Sequence, residues 1–168
     1  VVLDDGGTAA LFLGADEVLA RRVTGQSFWE LKGKYRKAAL GRDASLAILN
    51  PAAREGTDKL HVLRGGKLAA TVQVPAPVHD LRLAPDGSVA AVVGSGGRYF
   101  YLDTASAKLE EGPGLQVSGP FAISSAEFVG DGFLAFGLLH REGDHRPYRW
   151  PEASILVVDR RGRVAFRR

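Results

Sequence analysis

A single pattern recurs four times along the chain: a short apolar run, a turn carrying Asp, and a second, more strongly apolar run. The copies begin at Val1-Val2-Leu3, Ala38-Ala39-Leu40, Leu81-Arg82-Leu83 and Ala126-Glu127-Phe128, and their turns carry Asp5, Asp43, Asp86 and Asp131 at spacings of 38, 43 and 45 residues. A period of about forty residues is the mark of stacked supersecondary units that cannot bury their apolar faces alone. Asp and Gly supply the positive φ angles and the local side-chain hydrogen bond of a tight hairpin, and Pro85-Asp86-Gly87 is the clearest instance. The run after each turn is apolar at nearly every position, as in Ser45 to Leu49 and Ser88 to Val93. Continuous apolarity in so short a run predicts a strand covered on both faces, and the neighbouring units are the covering.

Each copy continues through a third strand, a turn and a fourth strand. These are Lys59–Arg64 and Leu68–Val74 in copy two, and Arg98–Asp103 and a short strand near Leu109 in copy three. Copy four ends with Ser154–Asp159 and Arg163–Arg167. In copy one, Ala15 to Arg22 also reads as a helical turn before Ser27–Leu31; the repeat favours a strand. Twenty-one glycines and eight prolines spread along 168 residues punctuate many short elements, and with 45% hydrophobic content an all-β chain can bury a core.

The run Val78-His79-Asp80-Leu81-Arg82-Leu83-Ala84-Pro85-Asp86-Gly87-Ser88-Val89-Ala90-Ala91-Val92, followed by Tyr99-Phe100-Tyr101-Leu102-Asp103, resembles a WD-like or TolB-like β-propeller repeat. It departs from the true WD repeat in lacking the Gly-His and Trp-Asp dipeptides; Leu102-Asp103 and Val158-Asp159 stand at the latter place. The resemblance implies antiparallel four-stranded blades, approximately at 1–31, 38–74, 78–112 and 121–168. Four blades must protect their flanks, so three arrangements are open: a small closed ring, a part of a larger propeller, or two chains pairing. Part of a larger propeller is the favoured expectation, because Val1 begins directly in a strand.

In such propellers the loops joining second to third strands, and those joining one blade to the next, share one face, which the resemblance implies is the ligand surface. Two of these loops are long. One, Asn50 to Asp58, contains Arg54. The other, His140 to Ala153, contains Arg141, His145, Arg146, Tyr148, Arg149 and Trp150, residues with the aromatic and guanidinium chemistry that binding surfaces favour. Leu31 to Arg42 carries Lys34, Tyr35 and Arg36 without an acid and is read as the link from the first blade to the second, reaching the same face. A basic surface with one aromatic suits a nucleic-acid backbone, although a solvated connection accounts for it more simply.

No catalytic residues emerge. Gly94-Ser95-Gly96-Gly97 lacks the helix and Lys-Ser/Thr pair of a phosphate cradle, and no serine stands in a recognisable triad or nucleophile elbow. Glu110-Glu111 reads as a solvated turn. His140, Asp144 and His145 match no metal-ligand spacing, so no metal or cofactor is expected. His61 reads as an outward strand position, and His79-Asp80 as a structural hydrogen bond at a blade start. The absence of cysteine excludes disulfides and thiolate sites and suits an exported, periplasmic bacterial protein. No apolar run is long enough for a transmembrane helix. The +3 charge is local: His140 to Arg168 holds eight Arg against four acids. The expectation is a non-catalytic binding or scaffold module recognising a protein or other polymer through its loop face. The alternatives are the propeller domain of a hydrolase or lyase with a dispersed site, and a polyanion or nucleic-acid binder.

Overall fold

The computed structural model describes all residues except 5, 53–57, 116–120, 131 and 141–152. Among the described residues, sixteen strands form four separate antiparallel sheets, each a meander of four consecutive strands. The first holds β1 (Val2–Leu3), β2 (Ala9–Leu13), β3 (Glu17–Arg22) and β4 (Ser27–Lys32); the second β5 (Tyr35–Leu40), β6 (Leu46–Pro51), β7 (Asp58–Arg64) and β8 (Lys67–Val74). The third holds β9 (Val78–Leu83), β10 (Val89–Gly94), β11 (Tyr99–Asp103) and β12 (Lys108–Glu111). The fourth holds β13 (Phe121–Val129), β14 (Phe133–His140), β15 (Ala153–Asp159) and β16 (Val164–Arg167). Within the Ala15–Arg22 stretch, Glu17–Arg22 is strand β3, as the repeat requires.

Consecutive sheets stack face to face, and side-chain alternation assigns each face. Along β6, Ala47 and Leu49 join Ala9, Leu11, Val18 and Ala20 of the first sheet in one apolar cluster. Leu46 and Ile48, on the other face, join Ala90, Val92, Phe100 and Leu102 of the third sheet. Along β10, Ala91 and Val93 then meet Leu134, Phe136, Leu138 and Leu156 of the fourth. Strands with period-two side chains are apolar throughout only when both faces are covered, which is why β6 and β10 read as unbroken apolar runs. The first strands of neighbouring sheets also approach one another, β5 beside β9 and β9 beside β13. Among the described residues the first and fourth sheets share no such packed face, so the row is not closed there.

Buried carboxylates and one indole tie the sheets together. Asp58 on β7 accepts the backbone N–H of Val78, 2.6 Å away on the next sheet, and Asp80 on β9 accepts that of Ala126 on β13 at 3.2 Å. Trp29 Nε1 donates to the carbonyl of Ala44 at 2.9 Å, linking the outer strand of the first sheet to the second. Each bond spares a buried donor the penalty of going unpaired.

The turn at Pro85-Asp86-Gly87 forms as its chemistry predicts. Gly87 N–H donates to Ala84 O at 2.8 Å, the Asp86 carboxylate accepts Ser88 N–H at 2.9 Å, and Gly87 sits at φ 74°. Asp5 of copy one lies outside the described residues, and the carboxylate described in that turn is that of Asp4. Asp4 accepts the N–H groups of Thr8 and Ala9 at 2.7 and 2.9 Å. The copy-two turn is a 3-10 turn at Arg42–Ala44.

Candidate functional site

An antiparallel meander sends its first and third connections to one end and its second to the other, where the crossing to the next sheet also lies. The connections therefore divide into a turn face and a loop face. The turn face carries connections of two to five residues. The three longest connections, 52–57, 112–120 and 141–152, are all anchored at the loop face by their flanking strands.

Lys34, Arg36 and Arg98, at the loop face, are each held by an acid. Lys34, in the two-residue link between β4 and β5, lies 3.3 Å from Asp16 in the β2–β3 connection, with both side chains largely exposed. Arg98 places its guanidinium Nε and Nη2 2.7 and 2.8 Å from the two oxygens of Glu111, a fork-to-fork pair, and donates through Nη1 to Pro75 O at 3.2 Å. The same pair holds the Glu111 carboxyl below the usual range, hydrogen bonding to Arg98 being the leading cause. Glu110-Glu111 thus belongs to strand β12 and not to a turn.

Lys34, Tyr35 and Arg36 do come together at this face, but not as one long link. Tyr35 and Arg36 open β5, leaving only Gly33-Lys34 between blades. Cationic side chains suit a strand end when their heads find acids. Arg36 does so: its Nη2 lies 2.6 Å from Oδ1 of the buried Asp58, the carboxylate that also holds Val78. Arg36 is thereby part of the tie between blades as well as of the loop face. Tyr35 meets His61 edge-on, ring centroids 5.9 Å apart and hydroxyl 3.5 Å from Nδ1. Burial pushes the Tyr35 phenol up and the His61 imidazole down, with the Lys59 charge adding to the second shift. His61 is thus half-buried, and in the next sheet Asp80 makes the expected hydrogen bond while His79 is exposed.

Arg54, Arg141, His145, Arg146, Tyr148, Arg149 and Trp150 lie outside the described residues. Among the described residues, no group of three or more His, Asp or Glu is placed to hold a metal ion, and no helix is long and apolar enough to cross a membrane.

Sequence reasoning did not single out a cavity of about 530 Å³ on the turn face, where hairpins of three blades converge. Arg42, Pro85, Asp86, Phe128 and Arg160 line it. Its residues come from turns some forty positions apart, so no local motif announces it.

No protein-family model matches the chain, and no curated protein matches it. Among solved structures it superposes on the β-propeller domain of Cps50 (Swd1) from Myceliophteria thermophila with a TM-score of 0.71 at 12% identity, over 99% of this chain and 55% of that one. The chain thus spans about half the length of that solved protein. Four meandering four-stranded sheets, stacked through their middle strands and matched over their whole extent to a propeller, are four β-propeller blades.

Proposed function

We propose that this chain is a non-catalytic binding module that recognises a protein through its loop face. The observation carrying this reading is the placement of the three longest connections on one face, where Lys34, Arg36 and Arg98 are each paired with an acid. A propeller holds such loops on rigid strands, and loops so held are where recognition concentrates. The segment 141–152 supplies the anchors, with Tyr148, Arg149 and Trp150 as its aromatic and guanidinium core. A polyanion reading is weakened because Lys34 faces Asp16 and Arg36 is committed to Asp58.

The test is quantitative affinity purification from an extract of the source organism, comparing wild type, Trp150→Ala combined with Arg149→Glu, and a turn-face control, Arg42→Glu. The expected result is a partner retained by wild type and the control and lost from the loop-face variant. Loss from Arg42→Glu alone would move the site to the turn-face cavity and overturn the proposal. Retention of the chain on heparin to high salt would identify a polyanion binder instead.

A further inference from the structure

We infer that the cavity on the turn face is a binding site of its own, which takes a small molecule carrying a phosphate or carboxylate on a flat apolar body. It lies at the opposite end of the blades from the loop face, and its ligand is a second one, separate from the protein partner proposed there.

The cavity sits over seams that this chain makes itself. Arg42 comes from the β5–β6 turn of the second blade, Pro85 and Asp86 from the β9–β10 turn of the third, and Phe128 and Arg160 from the fourth. Phe128 packs against the apolar cluster between the third and fourth blades. Arg160 stands over the same seam, since it also lines a neighbouring space of about 270 Å³ with Tyr101 and Lys108 of the third blade. A volume of about 530 Å³ falls within the span of small-molecule sites, roughly 300–1,000 Å³.

The two guanidinium groups are the cavity's uncommitted charge. Neither Arg42 nor Arg160 has an ion-pair partner among the described residues. The described acids around them are engaged elsewhere. Asp86 accepts the N–H and the hydroxyl of Ser88 at 2.9 and 2.8 Å, and Asp103 accepts the same two groups of Ser106, both at 2.7 Å. Glu110 holds Lys108 at 2.6 Å. Asp131, between Gly130 and Gly132, lies outside the described residues. Guanidinium forks match the oxygens of a phosphate or carboxylate, and two of them on one cavity wall supply the charge such a head group needs. Phe128 and Pro85 supply the apolar wall, against which a flat ring can lie.

The walls are fixed before any ligand arrives. The turn that carries Arg42 is pinned by the bond from Trp29 Nε1 to Ala44 O at 2.9 Å. It also abuts the third blade, where a Cβ added to Gly41 would lie 3.2 Å from Leu83 Cδ2. The Asp86 turn leans back the other way, with a Cβ on Gly87 falling 3.5 Å from Leu46 Cδ2. Turns so interlocked need little ordering on binding, which lowers its entropic cost.

The test is calorimetric titration of the 168-residue chain with phenyl phosphate, benzoate and inorganic phosphate. At least one of the two ring-bearing probes should saturate at one molecule per chain and bind more tightly than inorganic phosphate; the tighter of the two identifies the head group. Arg42→Gln and Arg160→Gln, both at exposed positions and each checked by circular dichroism, should each weaken that probe about tenfold or more, the loss of a charged hydrogen bond. Arg161→Gln, one residue beyond the cavity, should leave it unchanged, and Phe128→Leu should shrink the advantage of the ring. Absence of saturable binding by both ring-bearing probes would overturn the inference. So would inorganic phosphate binding as tightly as either, or Arg161→Gln weakening the probe as much as Arg160→Gln, which would reduce the effect to diffuse basic charge. The loop-face proposal is read separately, by partner loss at Arg149 and Trp150, so either can fail without the other.

Discussion

Ile48 and Leu49 are adjacent on β6 and both fully buried, yet they belong to different interfaces: Ile48 to the layer with Val92 and Phe100, Leu49 to the layer with Leu11 and Val18. Truncating either to Ala deletes buried methyl groups and leaves a cavity that close-packed sheets fill only in part, so each should cost about 2–5 kcal/mol. The diagnostic quantity is their coupling to other positions. Ile48→Ala with Val92→Ala should be non-additive by about 0.5–3 kcal/mol, because the two truncations open one shared space. Ile48→Ala with Leu11→Ala should add to within about 0.5 kcal/mol, because the β6 backbone separates the layers. Urea unfolding followed by tryptophan fluorescence measures all of these. Equal coupling of Ile48 to Val92 and to Leu11 would refute the assignment of alternate residues to alternate interfaces.

Other outcomes follow from single contacts. Asp86→Ala should lower stability by about 1 kcal/mol through loss of the Ser88 contacts. The Asp86 carboxyl sits below its usual range, chiefly through the Ser88 N–H. Its contribution is therefore present above the unfolded carboxyl pKa of about 4 and disappears as pH falls through the folded value, so wild type and variant should converge in acid melts. Asp58→Ala should cost about 2–3 kcal/mol in thermal or urea unfolding, since it strips the buried N–H of Val78 of its acceptor and Arg36 of its partner. The His61 imidazole should titrate below about 6.5 by NMR, and its share of stability, present above that value, should be lost on acidification through the lower folded midpoint. Gly66→Ala should be strongly destabilising in the same unfolding assays: Gly66 holds φ 78°, and an added Cβ would lie 2.5 Å from the Trp29 Cβ.

The fold was largely legible because the repeat is written in backbone chemistry. Asp-Gly turns and unbroken apolar runs such as Val89-Ala90-Ala91-Val92-Val93 report local geometry and two-sided burial, and both are properties of a few consecutive residues. Strand starts rich in charge were less legible. Tyr35-Arg36-Lys37 reads as a link, and only the buried Asp58, twenty-two residues further on, explains why Arg36 can sit in a strand. The same distance problem hid the ties between blades, since Asp58 with Val78 and Asp80 with Ala126 join residues whose proximity exists only after stacking. Of the residues singled out for recognition, Lys34, Tyr35 and Arg36 converge on the loop face. The turn-face cavity escaped notice because its arginines, Arg42 and Arg160, come from different blades.

Stacking through the middle strands is tested most directly by native-state hydrogen exchange resolved to single amides. The account predicts that β6 and β10, each sandwiched between two neighbours, exchange slowest, while the outer strands β4 and β16 exchange orders of magnitude faster. Amides of Leu46 to Leu49 and of Ala90 to Val93 exchanging as fast as those of β16 would contradict it.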